Sequence, residues 1–172
     1  MNDVDAPIVD DEPNLDDVDI PIDIYDPRNW DALDSKMIDV LAIKGPNRDL
    51  TFKKGPKDKF GRRFLSSCYI RTLSNGEKCN REWLVYAKEL DKVFCFCCKL
   101  FNKGSRKGKI VNEGFDDWSH LCNRLTEHEI SMEHLKNMAT WYELRLRFNQ
   151  GETIDKSAQK QMERRRSIGK MF

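Results

Sequence analysis

No run of apolar residues in this 172-residue chain approaches the roughly 18 that a membrane-spanning helix needs, so no membrane association is expected. Met1 is followed by acidic residues, without the basic start and apolar run of an export signal. Neither G-x-x-x-x-G-K-[ST] nor G-x-G-x-x-G occurs, and the carboxylates form no recognisable acid/base or two-metal pattern. An enzyme, or any protein with a small-molecule substrate, is therefore not expected. Apolar residues are also scarce: 39% hydrophobic against 34% charged is lean for a core of this size, so part of the chain is expected to stay outside it. Lys and Arg are missing altogether from residues 1–26, which hold ten acidic side chains and three prolines. Such a segment buries too little apolar surface to offset its ordering entropy and is read as a disordered acidic tail.

The rest of the chain carries all 30 basic residues against 19 acidic ones, a balance that suits a polyanionic partner. The cations are concentrated. Lys53, Lys54, Lys57, Lys59, Arg62 and Arg63 form one run interleaved with Phe52 and Phe60, and Lys103, Arg106, Lys107 and Lys109 form a second. Basic residues alternating with aromatics can line a nucleic-acid groove, and the opposing reading is a solvated linker whose aromatics dock on the domain.

Six cysteines without an export signal point away from disulfides, because reducing compartments favour thiol ligands over bridges. Three of them crowd into "FCFCCKLF" (94–101). The three histidines are His120, His128 and His134, the last two in "HEISMEH". Cys95, Cys98, His128 and His134 together give C-x2-C-x29-H-x5-H, two sulfurs and two nitrogens that would close a tetrahedral structural zinc site. Cys97 is read as a spare, because the C-x2-C spacing lets a tight turn after a strand aim the sulfurs of Cys95 and Cys98 at one point. Cys97, Cys79, Cys122 and His120 are the substitutes to consider. A metal of this kind supplies folding energy that a lean core needs.

Periodicity and turn signals predict an α+β domain. A short helix should lie within 26–46, capped by Asp31 or Asn29 with Leu33, Met37, Ile38 and Leu41 on its apolar face and Gly45-Pro46 at its end. A strand over 63–73 should end in the turn "SNGEK", followed by a hairpin over 82–97 turning at "ELDK". Trp118, Leu121, Cys122 and Leu125 predict a helix capped by Asp116 or Asp117, and Met132, Leu135, Met138, Ala139, Tyr142 and Leu146 predict another, capped by Ser131. The organisation read from this is an acidic tail (1–26), a short helix and basic linker (27–62), a zinc-stabilised domain of β-hairpins followed by helices (63–148), and a basic helical tail (149–172).

These blocks, R-x-F at Arg62 to Phe64, W-L-x-Y at Trp83, F-C-x-x-C-x-L-F at Phe94, G-F-x-D-W at Gly114 and H-E-x-S-x-x-H at His128, resemble the TTF-type zinc finger. That module is found near the N-terminus of hAT-family transposases and of host proteins derived from them, including zinc finger MYM-type proteins. The resemblance covers roughly residues 26–160. It implies Zn2+ as cofactor, DNA as partner with a protein partner as the alternative, a nuclear location, and no counterpart of the transposase catalytic region in this chain.

Overall fold

The computed structural model describes residues 22–102 and 108–169, with the side chains of 152–159 and 162–169 excepted. Most of the acidic segment read as a tail, and the cations Lys103, Arg106 and Lys107, lie outside the described residues.

The chain enters the core through a 3-10 turn, Pro27–Ala32, whose first turn is capped by the Asp26 carboxylate. Trp30 is buried from this turn, its indole N–H donating to the Ile24 carbonyl at 2.8 Å. Helix α1 (Ser35–Lys44) follows. Its cap is Asp34, which accepts from the Met37 N–H at 2.8 Å, and not Asp31 or Asn29. Both of those residues belong to the preceding 3-10 turn, and Asp31 pairs there with the buried Lys99 ammonium. Leu41 and Ala42 are buried, whereas Met37 faces solvent.

Two antiparallel hairpins come next. Strands β1 (Ile70–Thr72) and β2 (Lys78–Asn80) pair around the Asn75-Gly76 turn. The expected strand over 63–73 is cut short by a 3-10 turn, Ser66–Tyr69, which buries Tyr69 against Phe64 at 5.5 Å. Strands β3 (Leu84–Ala87) and β4 (Lys92–Cys95) form the second hairpin, turning at 88–91 as expected from "ELDK". Phe115 extends it on the far side through two 2.9 Å hydrogen bonds with Val93. Gly114, just before, has φ +94°, and a Cβ there would sit 2.7 Å from the Phe94 ring, so only glycine fits this close approach.

Helix α2 (Phe96–Phe101) starts where β4 stops. Helix α3 (Leu121–Glu129) begins later than predicted. Phe115 is held in the sheet, Trp118 packs edge-on against Phe64 and Tyr86, and the Asp117 carboxylate is used by Ser119 and His120. Those contacts keep 115–120 out of helical geometry, and they leave Cys122 exposed while Leu121 and Leu125 are buried.

Helix α4 (Met132–Gly169) is one continuous element of 38 residues, roughly 57 Å at 1.5 Å per residue. Only Met138 of its predicted apolar face packs against the core. His134, Asn137 and Trp141 point inward, while Met132, Leu135, Tyr142 and Leu146 are exposed. Trp141 locks α4 to α1 by donating to the Ala42 carbonyl at 2.8 Å and packs on Phe96 at 5.0 Å. The core thus runs from Trp30 through Phe94, Phe96, Leu84 and Trp141, with the cysteine cluster at its centre.

Candidate metal centre

The switch from strand to helix at Cys95 builds the sulfur side of the site. Cys95 is the last residue of β4 and still extended, at φ -90° and ψ 113°, and α2 begins at Phe96. Cys97 and Cys98 therefore stand on the first turn of a helix, not on alternate faces of a strand. All three thiols reach one point. Cys95 Sγ lies 3.6 Å from Cys97 Sγ, and His134 Nδ1 lies 3.4 Å from Cys95, 3.5 Å from Cys98 and 4.0 Å from Cys97. The four donor atoms fall within 4.8 Å of one another, and all four residues are buried. Cys97, expected to be a spare, is a member of this cluster, because the chain turns helical at Phe96 and brings the third sulfur to the same point.

The histidine side is built by the joint between α3 and α4. Ser131 is the cap, as the sequence suggests: its hydroxyl donates to the His128 carbonyl at 2.7 Å and accepts from the His134 N–H at 3.3 Å. One side chain thereby ties the two histidines together. Their rings lie 4.6 Å apart, and Trp83 walls both at 5.3 and 4.7 Å. His128 is buried, and its Nε2 has no hydrogen-bond partner among the described residues. Of the substitutes, His120 is exposed and bound to Asp117, and Cys79 and Cys122 are exposed away from the cluster.

Three thiols in one dry pocket pose an electrostatic problem. Burial pushes Cys95 and Cys97 well above the ordinary thiol range, because the charged form loses its solvation. Cys98 moves the other way: hydrogen bonds from Cys95 and Cys97 hold it far below that range. More than one thiolate needs a cation. Zinc–donor distances of about 2.0–2.3 Å put the donors of a tetrahedral site about 3.5 Å apart. Three of the four separations above meet this, and the unpartnered His128 Nε2 is the kind of atom a metal would satisfy. The residues present fit zinc.

A supporting interaction escaped the sequence reading. Glu129, next to His128, is buried and receives Arg81 through Nε at 3.0 Å and Nη2 at 3.2 Å, with Arg71 Nε at 3.3 Å. Arg81 also donates to the Cys68 carbonyl at 2.9 Å. The pair pins the end of α3 to the first hairpin. No local pattern announces it, since the partners are 48 residues apart.

The sequence-predicted cations lie elsewhere. Lys53, Lys54, Lys57, Lys59 and Arg62 are exposed and Arg63 is half-buried, all on an irregular ribbon closed by hydrogen bonds between 53 and 66 and between 55 and 64. Among the described residues none of the six takes part in an ion pair. Lys109 is exposed on a separate 3-10 turn. No described helix is long and apolar enough to cross a membrane.

No protein-family model matches the chain, and no solved structure matches it. Curated relatives do. Zinc finger MYM-type protein 5 of Homo sapiens is 36% identical over 161 residues, 92% of this chain, and that of Macaca fascicularis 35% over 164 residues, 94% of it. The Mus musculus protein of the same name is 38% identical over 122 residues, 70% of this chain. The chain spans about a quarter of the length of these relatives, 24% for the first two. Homology to zinc finger proteins and a buried cysteine–histidine cluster agree on the cofactor: over most of its length the chain is similar to one part of zinc finger MYM-type protein 5, and it is a zinc-binding module of mixed α+β fold.

Proposed function

We propose that the chain is a zinc-dependent DNA-binding module of a nuclear protein, of TTF type and derived from an hAT-family transposase, and without catalysis of its own. The observation that carries DNA binding is the basic ribbon 53–63, with six cations against the single carboxylate of Asp58 and no acidic partner for them among the described residues. Phosphate neutralisation there, with Lys109, Arg106 and Lys107 as further contacts, would provide affinity without sequence preference. When bound, zinc would cross-link the β4–α2 joint to the α3–α4 joint. We assign its ligands as Cys95, Cys98, His128 and His134. Burying a histidine nitrogen without a partner costs about 1–3 kcal/mol, so Nε2 of His128 calls for a ligand, whereas a buried neutral thiol such as Cys97 packs as a small apolar residue.

Metal analysis of the purified chain tests the site. Cys95→Ser, His134→Ala and His128→Ala should each lose stoichiometric zinc, and Cys97→Ser should keep it. Zinc lost in Cys97→Ser and kept in His128→Ala would replace the quartet with Cys95, Cys97, Cys98 and His134. DNA binding is tested by affinity against salt. On duplex DNA, one phosphate neutralised by each of the six ribbon cations would give a slope of about −5.4 in log K against log salt, and an affinity that does not fall with salt would refute the reading. A second reading, a protein-binding module, is favoured by the outward apolar stripe of α4, Met132, Leu135, Tyr142 and Leu146. Leu135→Glu with Tyr142→Glu would abolish capture of such a partner and leave DNA affinity unchanged.

A further inference from the structure

The two aromatics of the basic ribbon have opposite fates. Phe52 is covered: its ring stacks on Tyr86 at 5.5 Å. Phe60 is not, and remains 68% exposed at the tip of the ribbon. The tip is a built loop. The Asp58 carboxylate accepts from the Phe60 N–H at 2.8 Å and the Arg62 N–H at 2.9 Å. The Asp58 N–H donates to the Arg62 carbonyl at 2.7 Å, the Gly61 N–H donates to the Asp58 carbonyl at 3.0 Å, and Gly61 takes φ +78° to close the turn. The ladder beneath, from Lys54–Leu65 to Gly55–Phe64, anchors the loop on the buried Phe64. Phe60 is therefore held outward, with the Lys59 ammonium 5.0 Å and the Arg62 guanidinium 5.6 Å from its ring centroid.

We propose that Phe60 is a stacking platform for an unpaired nucleic-acid base, with Lys57, Lys59 and Arg62 holding the phosphates on either side. The inference rests on the nucleic-acid reading above and names the substrate form: a single strand, or a duplex opened locally. An apolar protein pocket that took the ring would have to desolvate the cations around it, which is costly. A nucleic-acid strand meets both needs, since every base offers a π-face and every linkage a negative charge. Bases inside an intact duplex are already covered by their neighbours, so only an unstacked one can meet the ring. The preformed loop also lowers the ordering cost of binding.

The test compares a short oligothymidylate with an abasic strand of equal length, using the zinc-loaded full chain and fluorescence anisotropy. The native chain should prefer the base-bearing strand by about 5- to 150-fold, the range of one aromatic–base stack. Phe60→Ala should remove that preference, leaving abasic affinity, salt slope and zinc content unchanged, and Phe60→Trp should restore it. Equal binding of both strands by the native chain, or a preference that survives in Phe60→Ala, overturns the proposal while leaving DNA binding intact. Failure to bind either strand at low salt overturns the nucleic-acid reading and this inference with it.

Discussion

Glu129→Ala tests whether the interaction beside the metal centre holds the fold. Three nitrogens lose their acceptor, Arg81 Nε and Nη2 and Arg71 Nε, but they do not weigh equally. The Arg71 side chain is 39% exposed, so its pair is worth about 1 kcal/mol or less. The Arg81 side chain is only 10% exposed and its two contacts are bidentate, so removing the carboxylate strands a buried guanidinium with the Cys68 carbonyl as its remaining close acceptor. Breaking a buried pair in this way costs about 3–5 kcal/mol, a large share of the 5–15 kcal/mol that stabilises a typical domain. Urea unfolding of the zinc-loaded chain should give an unfolding free energy lowered by that amount, against a loss of about 1 kcal/mol or less for Arg71→Ala. Replacing both partners, Arg81→Met with Glu129→Met, should cost less than either single change, because no buried charge is left unpaired and the Arg71 guanidinium that also loses Glu129 is part-exposed. A Glu129→Ala chain no weaker than Arg71→Ala, or a double variant whose cost is the sum of the singles, would refute the assignment.

Ser131→Ala should cost about 0.5–2 kcal/mol as a lost helix cap and speed zinc loss to a chelator, because the hydroxyl joins the two histidines. Trp141→Ala should destabilise by about 3–5 kcal/mol, read in thermal or urea melts, since it empties a fully buried site and leaves the Ala42 carbonyl without its donor. Gly114→Ala should destabilise the chain by more than about 1 kcal/mol in the same melts, from both the clash with Phe94 and the left-handed backbone.

Local patterns made much of the architecture readable. Alternation and the "ELDK" turn located the β3–β4 hairpin, Asn75-Gly76 the first hairpin, and Ser131 the cap of α4. C-x2-C and H-x5-H pointed to a metal centre, and the structure brings Cys95, Cys98 and His134 together there, with His128 against the His134 ring. These features are legible because they depend on residues a few positions apart. Where each side chain finally points depends on distant contacts. The inclusion of Cys97 follows from the chain turning helical at Phe96 to bury that ring between Trp30 and Trp141. The buried face of α4 is rotated away from most of its apolar periodicity, keeping only Met138 of it against the core, because His134 must face the cysteines and Trp141 must reach Ala42. Of the two ribbon aromatics, one is stacked on Tyr86 and the other left in solvent, a distinction no spacing contains. The sequence by itself determined the hairpin turns, the Ser131 cap that starts α4, and the presence of a cysteine–histidine site. Only tertiary packing decided which donors cluster, which face of α4 is buried and which aromatic is exposed, because those outcomes turn on contacts between residues tens of positions apart.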